Sequence, residues 1–161
     1  MNQLWDQIIT NTYTLKSLKN RLRILRDYLT KQQFTNGVQD QDEKLTDEAQ
    51  WINSLGKDFL AKFNQHNIYS LLDEMESETS KQEPLTIFLA FELPNEEISK
   101  LGSWIRVNFG QKYLMLDIKY DPSLIGGCAL TWKGIYHDYS VKKKIEDNKQ
   151  QVLESFKTYL R

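Results

Sequence analysis

A chain of 161 residues with net charge −1 and one cysteine has room for one or two small domains. It lacks the basic excess of a general nucleic-acid binder and cannot close an intrachain disulfide. Apolar residues make up 40% of it and charged residues 27%, enough for a core inside an ordinary soluble surface.

The first element predicted is one long helix over 3–33. Leu15, Leu18, Leu22, Leu25 and Leu29 recur at spacings of three and four and share a face. That stripe is either a helix–helix interaction surface, with Leu18, Leu22 and Leu25 as partner-binding residues, or one helix of a bundle burying its own face. Residues 34–44 are polar with an Asn-Gly signal and read as a loop. A second helix starts near Thr46 as N-cap and carries Ile52, Leu55, Phe59 and Phe63. Gln65-His66-Asn67 breaks it, and a short helix resumes over 68–75. The polar run from Glu76 to Pro84 is a linker, so the expected units are a helical part over 1–79 and an α/β part over 84–161. No apolar run approaches the ~18 residues that span a bilayer. Met1-Asn-Gln-Leu-Trp-Asp-Gln lacks the basic start and apolar centre of a signal peptide. Membrane association is therefore expected only through a partner.

After Pro84, Leu85 to Phe91 reads as a strand covered on both faces. Pro94, Glu96 and Glu97 open a helix with Ile98, Leu101, Ile105 and Phe109 inside and Gly110 as a left-handed cap. Tyr113 to Tyr120 alternates as a strand. Asp121-Pro122 then opens a turn that Gly126-Gly127 closes into the next strand, from Cys128. Cys128 sits in an apolar run and is expected to be a buried, inert thiol. Lys133-Gly134 turns a hairpin towards His137. Ser140 caps a closing helix that runs to the chain end, with Val141, Ile145, Val152, Phe156 and Tyr159 on one side. The order β-α-β-β-α behind a helical half gives an α+β fold.

Asp121-Pro-Ser-Leu-Ile-Gly-Gly127, an apolar strand, a Lys-Gly turn, Asp138-Tyr-Ser-Val141 and a Lys-rich helix together resemble the C-terminal signature of the delta subunit of F-type ATP synthase. The family includes the mitochondrial oligomycin-sensitivity-conferring protein. Asp121, Pro122, Gly126 and Gly127 are the motif residues. Leu85 to Arg161 is similar to that family's C-terminal domain throughout, and residues 60–75 resemble the segment leading into it. The resemblance implies a stator component that links the catalytic head to subunit b, peripheral on the cytoplasmic side of the energy-transducing membrane. The implied partners are subunit b, through the C-terminal domain, and the alpha subunits, through the N-terminal domain. Val152, Phe156, Tyr159 and Leu160 are the residues assigned to b; the alternative is that the closing helix packs back on its own sheet. The family's N-terminal bundle has six helices, and this chain has room for about three before the linker.

Catalytic patterns are not expected. Gly126-Gly127 precedes a strand rather than a helix, so it is not a phosphate loop. The two histidines, His66 and His137, have no metal-ligand spacing. Asp121 and Asp138 could be taken for an acid pair, but turn and cap roles explain both. No catalytic, cofactor or metal residues are assigned. Two other readings remain open: a peripheral-stalk protein of the kind found in vacuolar and archaeal ATPases, which also ends in a small α/β domain with a Gly-Gly strand, and a small α/β ligand-binding domain or enzyme.

Overall fold

The computed structural model describes residues 3–34 and 47–159. The expected loop after Phe34, the Thr46 cap and Leu160 lie outside the described residues, as does the side chain of Tyr159.

The predicted first helix is two. α1 spans Gln3–Thr10 and α2 spans Leu15–Phe34. The break is chemical: Thr10 and Thr12 turn their hydroxyls back onto the carbonyls of Asp6 and Ile8, and Thr14 Oγ1 accepts the Ser17 amide at 3.1 Å as the cap of α2. The continuous leucine stripe hides this in the sequence. Leu4, Trp5, Ile8 and Ile9 of α1 are all buried, and so are Leu18, Leu22, Leu25 and Leu29 of α2.

The second predicted helix also splits, into α3 (Asp47–Ser54) and α4 (Lys57–Leu60), at Gly56. The break at Gln65–Asn67 stands where expected, held by Asn67 Nδ2 donating to the Lys62 carbonyl at 2.9 Å. α5 (Ile68–Ser80) runs five residues further than the predicted 68–75, so Glu76–Ser80 is helix rather than linker. Its Ile68, Leu72, Met75 and Thr79 face inward. Arg26 of α2 bridges Asp73 at 3.0 Å and Glu76 at 2.9 Å on α5. Five helical segments therefore precede the sheet among the described residues, against the three expected, because several are short.

The sheet has four strands in the order β2-β1-β3-β4: β1 Leu85–Leu89, β2 Leu116–Tyr120, β3 Cys128–Trp132 and β4 Ile135–Asp138. β1 and β2 are parallel, joined through α6 (Asn95–Phe109); β3 is antiparallel to both β1 and β4. α6 ends on Gly110 in the left-handed region. Ile105 and half-buried Leu101 pack on the face of the sheet that holds Leu85, Ile87 and Leu116. The two faces of β1 are covered unequally. Thr86 and Phe88 on its other face are only half-buried, because α7 (Val141–Asp147) packs on the Pro122–Leu124 turn instead of across the strands.

Two clusters form the interior, one of helices and one of sheet and α6, and residues 113–115 join them. Predicted as strand, this stretch instead precedes β2, with Met115 buried in the helical cluster and Tyr113 packed against it. Leu116 N donates to the Tyr13 carbonyl at 2.8 Å, and Thr14 makes a parallel bridge to Leu116. Arg106 of α6 reaches over to the end of α1. It donates to the carbonyls of Ile9, Thr10 and Thr12, and to Leu114 of its own half. Its guanidinium lies 4.7 Å from the centre of the Tyr13 ring. Tyr13 in turn sits against Gly102, where a Cβ would come within 2.5 Å of it.

Candidate functional site

The Asp-Pro turn is built by its own side chains. Asp121 accepts the Ser123 amide at 3.0 Å and starts a single 3-10 turn over Pro122–Leu124, with Leu124 buried beneath it. Asp138 makes the same contact one strand pair later, accepting the Ser140 amide at 2.8 Å, and Ser140 Oγ caps α7 by accepting the Lys143 amide at 3.1 Å. Hydrogen bonds from Ser123, hydroxyl first and then amide, hold the Asp121 carboxyl below its usual range. Those from Ser140 do the same for Asp138. Both aspartates therefore serve as turn and cap acceptors.

The two signature segments meet. The Val141 amide donates to the Gly126 carbonyl at 2.9 Å and Tyr139 N donates to the Cys128 carbonyl at 2.9 Å. Gly127 has φ +74, and a Cβ there would sit 2.6 Å from the Tyr139 carbonyl oxygen. Gly126 is looser, with Val141 Cγ2 at 3.2 Å as its closest neighbour. Ile125, just before them, has φ 67 and is 66% exposed. A β-branched residue is rare in that conformation, and the sequence pattern carries no sign of it. Cys128 is half-buried, and burial pushes its thiol up.

The turn launches α7 and then α8 (Lys149–Tyr159), which are interrupted at Asn148 instead of running as one helix. Asn148 leaves the helical region there, its side chain donating back to the Lys144 carbonyl at 2.9 Å. Neither helix is drawn into the core. Val141 is 40% exposed, Ile145 42%, Leu153 49% and Phe156 60%, while Val152 is half-buried. Spacing alone does not single out Leu153, which falls one position off the Val152–Phe156 stripe. Lys142, Lys143, Lys144, Lys149 and Lys157 surround these apolar side chains in sequence.

The assigned residues therefore separate. Asp121, Pro122, Gly126 and Gly127 gather at the start of α7, and Val152 and Phe156 lie on α8 beyond it. Leu18, Leu22 and Leu25 are 0–3% exposed inside the helical cluster, so their side chains are not a surface. Packing within the chain accounts for the stripe. Among the described residues no group of three His, Cys, Asp or Glu is placed to hold a metal ion, and no helix is long and apolar enough to cross a membrane. His137 stacks on Tyr139, ring centres 6.1 Å apart.

Comparison with known proteins bears on the same region. The sequence model of the family described as ATP synthase delta (OSCP) subunit matches residues 58–152, more than half of the chain. An ATP synthase subunit delta of Ligilactobacillus salivarius is 32% identical over 82 residues, covering 51% of this chain and 46% of that protein. Another from Caldicellulosiruptor bescii is 25% identical over 68 residues, 42% of this chain and 38% of that one. The matched stretch thus spans under half the length of either relative. The match runs from α4 through the sheet and the Gly-Gly turn into α8, and on that extent the chain belongs to the ATP synthase delta (OSCP) subunit family.

Proposed function

We propose that the chain is a non-catalytic stator component of F-type ATP synthase, a peripheral-stalk subunit that ties the alpha/beta head to subunit b. It would resist rotor torque during proton-driven ATP synthesis. It would act on the cytoplasmic side of the energy-transducing membrane, held there by its partners. Such a joint needs wide, rigid contacts and no chemistry of its own. The observation that carries the reading is the exposure of Ile145 on α7 and of Leu153 and Phe156, three positions apart, on α8. Apolar side chains exposed together on terminal helices mark a contact surface more often than a free one. We assign Val152, Leu153 and Phe156 to subunit b, and Tyr159 and Leu160 with them on sequence spacing. The alpha subunits would meet the outer faces of the helical part, since Leu18, Leu22 and Leu25 are enclosed.

The test is titration of the full chain with a peptide from the C-terminal end of subunit b. Leu153→Ala with Phe156→Ala should weaken binding ten-fold or more, about 1.4 kcal/mol, while the melting temperature of the free chain moves little. A double variant that melts early but binds normally in its folded fraction would make these residues internal packing and end the assignment.

A further inference from the structure

The opposite end of the sheet carries a second surface, with a different character. β1 and β2 start side by side there, Leu85 opposite Leu116. β3 ends at Trp132, and β4 starts at Ile135. The connections that arrive at this end surround an open trough of about 480 Å³, lined among others by Lys81, Glu83, Lys112, Tyr113, Trp132 and Lys133. Three ammonium groups thus stand around the Glu83 carboxylate, with the Asp6 carboxylate drawing on Lys112 from outside the lining. Lys81 is already paired with Glu78 at 2.8 Å. Lys112 and Lys133 form no ion pair among the described residues. Each rests on an aromatic ring instead, Lys112 Nζ at 5.0 Å from the centre of Tyr113 and Lys133 Nζ at 5.6 Å from that of Trp132.

That pairing repeats one unit twice: a positive charge beside a flat apolar ring. No arginine, whose planar fork matches a phosphate bidentately, is among the residues that line the trough. Lysines are point charges that accept a carboxylate from many directions. The trough is open along its length, where small-molecule sites are usually concave enough to enclose most of their ligand. Tyrosine and tryptophan are also the side chains that most often anchor protein–protein contacts.

We propose that this trough is a docking site for an extended acidic segment of a partner protein, its carboxylates meeting Lys81, Lys112 and Lys133 and an interleaved apolar side chain lying against Tyr113 and Trp132. The site is separate from the closing helices. β1, β2 and β3 are each five residues long and β4 is four, so the two ends of the sheet stand roughly 16 Å apart, and both surfaces can be filled at once.

The probe is a fluorescein-labelled peptide of about twelve alternating glutamates and leucines, titrated with the full chain at low salt and followed by anisotropy. Binding should weaken ten-fold or more in Lys112→Glu/Lys133→Glu, two exposed positions, with the thermal melt used to confirm folding. It should also weaken steeply as salt rises. The same charge reversals at Lys142 and Lys143, near the other end of the sheet, should change it less than two-fold. Equal losses from both pairs would reduce the binding to diffuse attraction and overturn the proposal. So would equal binding of the glutamine–leucine version of the peptide. Displacement of the peptide by inorganic phosphate or ATP at micromolar concentration would make the trough a small-anion site instead.

Discussion

Gly127 combines two demands that no other residue type meets together. Its φ of +74 lies where side chains are strained, and the Tyr139 carbonyl fills the space a Cβ would take. Gly127→Val should therefore destabilise the chain by more than ~1 kcal/mol, read as a lower urea midpoint. Gly126→Ala meets only the movable Val141 methyl at 3.2 Å and should cost less than half as much. Equal midpoints for the two variants would show that the close approach is relieved by small backbone shifts. The aspartates give a prediction in pH. Asp121 and Asp138 both have folded-state pKa values lowered by bonds from the following serines. Their contribution is whole above the unfolded value of about 3.9. It is lost as pH falls through the lower folded values. Melting temperature should drop more steeply below about pH 4 in the wild-type chain than in Asp121→Asn/Asp138→Asn. Parallel curves would mean that the two carboxylates carry no acid sensitivity.

Elements were legible in the sequence where their signals are local. The Asp-Pro turn, the Lys133-Gly134 hairpin, the Gly110 cap and the Ser140 cap each depend on a few neighbouring residues, and each stands where those residues place it. The Gly-Gly turn and the start of α7 were legible for the same reason. The break between α1 and α2 had a signal too, the run Asn11-Thr12-Tyr13-Thr14, but an even apolar stripe outweighed it. The run from Tyr113 to Met115 alternated like a strand and was recruited into the helical cluster. Alternation reports which side chains are apolar, not which of two cores receives them. The open faces of α7 and α8 were half legible: spacing marked Val152 and Phe156, but nothing local announces whether a terminal helix packs home. The trough could not be read, because its lysines are brought together by strand order alone.

At the scale of the whole molecule, Arg106 is the joint between the two cores. It satisfies three carbonyls at the end of α1 from the far side of the sheet helix, and burial there lowers its pKa without removing its charge. Arg106→Met should cost about 1.5–3 kcal/mol, the range for hydrogen bonds to a charged group. Arg106→Lys has no planar fork to reach several carbonyls at once, so it should stay nearer to the methionine variant than to wild type. Chemical denaturation followed by circular dichroism checks both, and an unchanged midpoint would show that water replaces the guanidinium without loss.

The same joint spans more than ninety positions of sequence, from Ile9 to Arg106, and Met115 fills the helical cluster from further on still. On the ribosome, α1 therefore gains these contacts only after α6 and the start of β2 have been made. Until residues 106 and 115 have emerged, the carbonyls of Ile9, Thr10 and Thr12 lack the guanidinium that meets them, and the helical interior lacks one side chain. The last contacts of the helical cluster are thus supplied from the half of the sequence that carries the sheet.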